Sequence, residues 1–181
     1  MAESEIAHKW VEEGYKLFGE RGPHDFKVEK LASQVGMNKS GFYHYFVERE
    51  VFFGELLKYH DQYGIKFAHE LSTLKDFMPG YPQLLIKYST GMLVQLQLRK
   101  NLNNPQFKEF FFRLKNRNNK YQIPLWAKYL QLSDMQLAGE FFEIALDLFV
   151  TRLEGNKITL DFLEGLFKGI KLTVVKLRNN K

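Results

Sequence analysis

Val28-Glu29-Lys30-Leu31-Ala32-Ser33-Gln34-Val35-Gly36-Met37-Asn38-Lys39-Ser40-Gly41-Phe42-Tyr43-His44-Tyr45-Phe46 sets two short runs of helical periodicity on either side of one glycine. Two helices that cross steeply through a tight turn need a small residue where their backbones meet, a turn residue tolerant of positive φ, and apolar anchors underneath. Ala32 suits the close contact, Gly36 the turn, and Leu31, Val35, Met37, Phe42 and Tyr45 the anchors. Seven positions satisfy one geometry together, which a generic helical hairpin rarely does. The segment is expected to be a helix-turn-helix, with helices over about Val28 to Val35 and Lys39 to Tyr45.

Outward from it, apolar residues recur at three- and four-residue spacing, and no alternating strand pattern bounded by Asn-Gly or Asp-Gly turns interrupts them. The fold class expected is all-α. A first helix runs from about Glu3 to Arg21, with Ala7, Val11, Gly14, Leu17 and Phe18 on one face, and stops at Gly22-Pro23. A longer one, about Glu48 to Leu74, carries Phe52, Leu56, Tyr59, Tyr63, Phe67 and Leu71, and Pro79-Gly80-Tyr81-Pro82 reads as a breaker after it. The spacing then predicts a helix over about Pro82 to Lys100 and another starting at Pro105, capped by Asn104. Asn116-Arg117-Asn118-Asn119 is expected to end that helix before a short segment at Pro124 to Leu130, and Ser133 to cap the next. Two final helices, about Asp134 to Glu154 and Leu160 to Arg178, flank Gly155-Asn156 and the cap Thr159 and should pair as a hairpin. Asn179 to Lys181 reads as a frayed end.

Composition narrows the function classes. The chain has 181 residues, no cysteine and 45% hydrophobic residues, so it can bury a core without disulfides, thiolate metal sites or a cysteine nucleophile. Its start, Met1-Ala2-Glu3-Ser4-Glu5-Ile6, lacks the basic and apolar parts of a secretory signal, and the most apolar stretch, Phe141 to Val150, is interrupted by Glu143 and Asp147. A cytoplasmic protein without a membrane span is expected. His8, His24, His44, His60 and His69 are scattered, and no phosphate loop or nucleophile elbow occurs, so neither metal, cofactor nor catalysis is expected. The net charge of +5 is uneven: residues 1–50 carry 7 Lys and Arg against 9 Asp and Glu, whereas residues 97–128 carry 8 against 1. Nucleic-acid binding at the helix-turn-helix must therefore rest on particular side chains, since the bulk of the positive charge lies elsewhere.

The stretches Leu17-Phe18-Gly19-Glu20-Arg21-Gly22, Val28-Glu29-Lys30-Leu31-Ala32 and above all Met37 to Phe46 resemble the TetR family of transcriptional repressors, from Ile6 to about Leu57. The resemblance implies a helix-turn-helix DNA-binding domain at residues 1–48 and a larger helical effector-binding and dimerisation domain at 49–181. It also implies that the third helix enters the major groove, with Asn38, Lys39, Ser40, Gly41, Tyr43 and His44 nearest the DNA and Arg49 at a phosphate-contacting position. Tyr45 matches a backbone-contacting position in some relatives, while its spacing makes it an anchor. Lys27 stands where the family often has a capping Ser or Thr, losing a cap and gaining a possible phosphate contact. Gly41 stands where Thr is common. Asn38 suits an adenine edge, Lys39 guanine acceptors or phosphate, and Ser40, Tyr43 and His44 phosphate oxygens.

With Lys27, Lys39 and Arg49 as the cations in this region, one copy should bind weakly, so a homodimer on a palindromic operator of double-stranded DNA is expected. The terminal hairpin can supply the dimer interface as a four-helix bundle through Phe141, Ala145, Leu148, Phe149, Leu163, Leu166, Phe167, Ile170 and Val174, or can simply complete a monomeric core. By resemblance the larger domain binds a small-molecule effector, apolar or amphipathic, and Tyr88, Met92, Phe110, Phe111, Leu114, Trp126, Tyr129 and Phe142 are the candidate pocket. The basic stretch 97–128 with Phe107, Phe110, Phe111 and Phe112 is either a solvated face or a seat for an amphipathic anion. The alternative function is a helical small-molecule- or partner-binding protein whose helix-turn-helix is purely structural.

Overall fold

The computed structural model describes residues 3–153 and 157–179. Met1 and Ala2, the Gly155-Asn156 break with Glu154 before it, and the chain end from Asn180 lie outside the described residues. All regular structure among the described residues is helical: α1 (Glu3–Arg21), α2 (Val28–Val35), α3 (Lys39–Phe46), α4 (Arg49–Thr73), α5 (Gly80–Lys87), α6 (Ser89–Lys100), α7 (Pro105–Leu130), α8 (Met135–Arg152) and α9 (Leu160–Asn179). Packing divides the chain into two compact units, residues 1–65 with 90–114 and residues 66–89 with 115–181. The expected functional boundary at 48/49 lies within the first unit, because the start of α4 packs with the three helices before it.

The first unit is built on aromatic rings. Phe52 of α4 is fully buried and lies within 4.8–5.6 Å, centroid to centroid, of Phe26, Phe42 and Phe46. A Cβ at Gly14 of α1 would stand 2.3 Å from the Phe52 ring, so the glycine there is required by close approach. Leu17 and Phe18 are buried as their spacing predicts, whereas Ala7 and Val11 are half-buried and Trp10, which that face did not include, is fully buried. One polar chain crosses this apolar interior. With the His60 proton on Nε2, the Tyr15 hydroxyl donates to His60 Nδ1 (2.7 Å), Nε2–H donates to Gln95 Oε1 (3.0 Å), and the Gln95 amide donates to the Phe111 carbonyl (3.1 Å). Burial raises the Tyr15 hydroxyl pKa well above its ordinary value. Along this Tyr15–His60–Gln95 relay each link is a made hydrogen bond, which keeps its desolvation from being a net cost.

The second unit gathers Phe77, Tyr81, Trp126, Phe142 and Phe167 around one another, with Trp126 4.9–5.9 Å from Phe77, Phe142 and Phe167. The Tyr81 hydroxyl, whose ionisation burial suppresses, donates to Gln122 Oε1 at 2.9 Å. Helices α8 and α9 pack together, and α5 packs on α9.

Several boundaries differ from the expected ones. The expected helix over 82–100 is two helices broken at Tyr88, and Pro79-Gly80-Tyr81-Pro82 opens α5 instead of separating elements, since a proline in the first turn has no intrahelical N–H to lose. The polar run 116–119 does not end a helix: α7 continues through Pro124. An interior proline costs about 3 kcal/mol. Full burial of Trp126, Ala127 and Leu130 beyond it, with Gln122 donating to the Asn119 side chain at 2.6 Å, offsets that cost. The cap of α8 is Asp134, whose carboxylate accepts from the Gln136 and Leu137 amides at 2.9 and 3.0 Å, and not Ser133. Asn104 caps α7 as expected, accepting from the Gln106 and Phe107 amides. Thr159 Oγ1 accepts from the Phe162 amide at the start of α9.

Candidate nucleic-acid interface

Helix α2 rises from Lys27, whose side chain makes no cap hydrogen bond, and buries Val28, Leu31, Ala32 and Val35. It stops at Gly36, left-handed at φ 77°, after which the Met37 amide donates to the Ala32 carbonyl at 2.9 Å. Such a turn satisfies carbonyls that would otherwise be orphaned at the helix end. Lys9 of α1 donates to the Val35 carbonyl at 2.9 Å, placing a cation at the negative end of α2. Met37 is not the buried anchor expected of it: it is exposed, because the left-handed turn carries it outward, and Phe42 with Phe46 fill the space beneath α3.

Helix α3 starts at Asn38, and here the chemistry differs from the sequence expectation. Asn38 Oδ1 accepts from the Gly41 amide (2.9 Å) and from Ser40 Oγ (2.8 Å), so it is the N-cap that holds the first turn. Beyond the cap, Lys39, Ser40, Tyr43 and His44 all face outward, while Phe42 and Phe46 point in and Tyr45 is half-buried against the same core. Gly41 is half-buried, and a Cβ there would meet Asn38, Met37 and Trp10 only at ordinary contact distances, 3.4–3.7 Å. Arg49 opens α4 with its guanidinium 3.5 Å from Glu50 and 5.5 Å above the Phe53 ring.

Lys39 is the best-defined cation of this surface. Its ammonium lies 2.5 Å from Glu29 Oε1 and 5.9 Å from the Tyr43 ring centre. The hydrogen bond from Lys39 lowers the Glu29 pKa, and the same bond raises that of Lys39, so both are charged at neutral pH. Glu29 was not among the residues expected at the interface. It is ten positions from Lys39 and on a different helix, so only the turn geometry brings the pair together.

The remaining candidates are spread more widely. Met92, Phe110, Phe111 and Leu114 lie in the first unit and Tyr88, Trp126, Tyr129 and Phe142 in the second. Trp126 and Phe142 are packed on other rings, Tyr129 is half-exposed beside Phe77 and Trp126, and Arg113 sits 4.4 Å above the Phe110 ring. In the terminal hairpin, Ala145, Phe149, Leu163, Leu166, Phe167, Ile170 and Val174 are buried within their own chain, whereas Phe141 and Leu148 are half-buried. An apolar groove of about 280 Å³ runs along the hairpin between Phe141, Ile144 and Leu148 on α8 and Gly165, Gly169 and Thr173 on α9. The sequence did not single out Ile144, which is 49% exposed there. Among the described residues no group of three or more His, Asp or Glu side chains is placed to hold a metal ion, and no helix is long and apolar enough to cross a membrane.

Comparison with known proteins places this geometry. Residues 11–56 match the family model described as bacterial regulatory proteins, tetR family. No curated protein matches the chain. Among solved structures, a transcriptional regulator described as TerR/AcrR family, from Aquifex aeolicus, is 19% identical, with 93% of this chain and 99% of that one covered at a TM-score of 0.63. The TetR-family transcriptional regulator PfmR from Thermus thermophilus is also 19% identical, with 94% and 95% covered at a TM-score of 0.60. At that identity the likeness is one of fold, and it extends through both compact units.

Proposed function

We propose that this chain is a DNA-binding transcriptional regulator of the TetR kind, a repressor that grips a palindromic operator as a homodimer and releases it when a small apolar or amphipathic molecule binds the larger helical domain, 49–181. The observation that carries this is the outward face of α3: four polar or aromatic side chains capable of hydrogen bonding, Lys39, Ser40, Tyr43 and His44, project from a helix whose other face is anchored by Phe42 and Phe46. A purely structural helix-turn-helix has no need of such a face, and the match of residues 11–56 to a family of DNA-binding regulators supports the same use.

In the complex, α3 lies in the major groove. Asn38 commits its side-chain oxygen to the cap, leaving its amide nitrogen to approach the DNA; Lys39 reaches base acceptors, and Ser40, Tyr43 and His44 reach phosphate oxygens. Lys27 and Arg49 flank this face as phosphate contacts, with Gly41 allowing close approach and Tyr45 stiffening the helix from below. The cations are few, so two copies share the work. The groove on the α8–α9 hairpin is the natural joining surface, with Ile144 added to Phe141 and Leu148. The protein works in the cytoplasm without catalysis.

Selection of bound duplexes from random DNA tests the proposal: a palindromic sequence should emerge whose binding weakens steeply with salt. On that duplex Lys39→Ala and Tyr43→Phe should each weaken binding, by about 10-fold for the lysine, with helix content and oligomeric state unchanged. Unaltered affinity in both variants removes α3 as the DNA-reading element.

A further inference from the structure

We propose that Glu29 and Lys39 form a single base-reading unit directed at a G·C pair in each half-site, which makes Glu29 of α2 a specificity determinant; this rests on the DNA-binding function proposed above. The two residues stand at the N-terminal ends of α2 and α3 and meet across the turn with charged atoms 2.5 Å apart. Their side chains are 64% and 51% exposed, so the pair is presented on the surface. Solvent screening leaves such a pair little value for folding.

Its effect on DNA is larger. A carboxylate on a surface that meets phosphates is repelled by them and is tolerated where the groove offers it a donor. In the major groove those donors are the exocyclic amines of cytosine and adenine, while a lysine seeks the O6 and N7 acceptors of guanine. Guanine O6 and cytosine N4 are themselves joined by a Watson–Crick hydrogen bond, hence roughly 2.9 Å apart. A donor–acceptor pair at the Lys39–Glu29 spacing matches that edge, ammonium to guanine and carboxylate to cytosine. An A·T pair presents a donor and an acceptor at the same spacing, adenine N6 and thymine O4, so the preference rests on guanine's second acceptor, N7 beside O6, which holds the ammonium twice, and on the thymine methyl, which crowds an ammonium at O4. The Tyr43 ring beside the Lys39 ammonium further limits the orientations of the lysine, so less freedom is lost on docking. Without Glu29 the lysine would be a point charge free to clamp any phosphate, which gives affinity without sequence preference.

Selection from random DNA with the full chain, wild type against Glu29→Gln, tests this. The exchange keeps shape and removes charge at an exposed position, and a thermal melt confirms that the fold is retained. The wild type should enrich one G·C column in each half-site, and the variant should relax that column by about 10-fold while the other columns keep their preference. An unchanged column, a wild-type operator lacking it, or binding that tightens equally on every sequence overturns the proposal. If the wild type enriches no sequence at all, the DNA-binding function fails with it; an operator that survives while the column does not respond fails the pair alone.

Discussion

At Val47 a β-branched side chain occupies the left-handed half of backbone space, with φ 55° and ψ −52°, in the turn between α3 and α4. Its amide donates to the Tyr43 carbonyl, the next amide, of Glu48, donates to the Phe46 carbonyl, and the side chain is 77% exposed. This is the tight γ-turn whose strain is greatest for branched residues, and no burial of the side chain compensates for it. Val47→Gly should therefore stabilise the protein by about 1 kcal/mol, the relief of strain exceeding the entropy that glycine adds to the unfolded chain. A rise of a few degrees in Tm, read by circular dichroism, checks it; an unchanged or lowered Tm shows that the strain does not exceed the entropy glycine adds to the unfolded chain. Single atoms matter in the same way at Asn38, where one oxygen serves two donors of the first turn of α3.

Among elements, one carboxylate joins α4 to the end of α5 beside the buried contact of the Phe67 and Tyr88 rings. Glu70 accepts from Lys87 Nζ at 2.6 Å and from the Tyr88 hydroxyl at 2.7 Å. These bonds, the lysine's first, lower its pKa below the ordinary 4.5. A carboxyl group whose folded-state pKa is depressed contributes stability that is present above the unfolded value and lost as pH falls through the folded one. Stability should therefore drop on acidification below about pH 4.5, and Glu70→Gln should lower stability at neutral pH while flattening that part of the profile. Denaturant titrations at pH 7 and at a series of acidic values separate the two; a variant with the same acid slope as the wild type shows that Glu70 does not contribute to it. Elements elsewhere show how packing can override local signals: α7 runs unbroken through a proline and an asparagine-rich stretch because the residues that follow are fully buried.

For the whole molecule, the proposed dimerisation on the α8–α9 groove is tested most cleanly at Gly169. A Cβ there meets nothing within 4 Å in its own chain, so a larger residue is accommodated by the monomer and gains helix propensity. Gly169→Arg should leave helix content intact and convert a dimer into a monomer by blocking close approach of two hairpins, with operator affinity falling in parallel. Light scattering after size-exclusion chromatography reads the outcome, and a variant that stays dimeric moves the interface elsewhere. The buried hairpin residues that the sequence nominated for this interface, such as Leu163 and Val174, have their faces already covered by their own chain.

The all-helical class and the limits of α1 and α2 were legible in the sequence because local periodicity, Gly36 and Gly22-Pro23 agree with one another, and local agreement needs no partner elsewhere in the chain. The outward set on α3 came from the family resemblance, with the anchor Phe42 readable from spacing and Phe46 found buried beside it in the structure. What tertiary structure decided was every choice between uses of one residue: Asn38 as cap, Met37 as surface, Pro124 as helix interior, and Glu29 as the partner of Lys39. Helical periodicity reports that a face is apolar but not which other face covers it, and a charge in the sequence has no address until a turn brings its counterpart within a few ångströms.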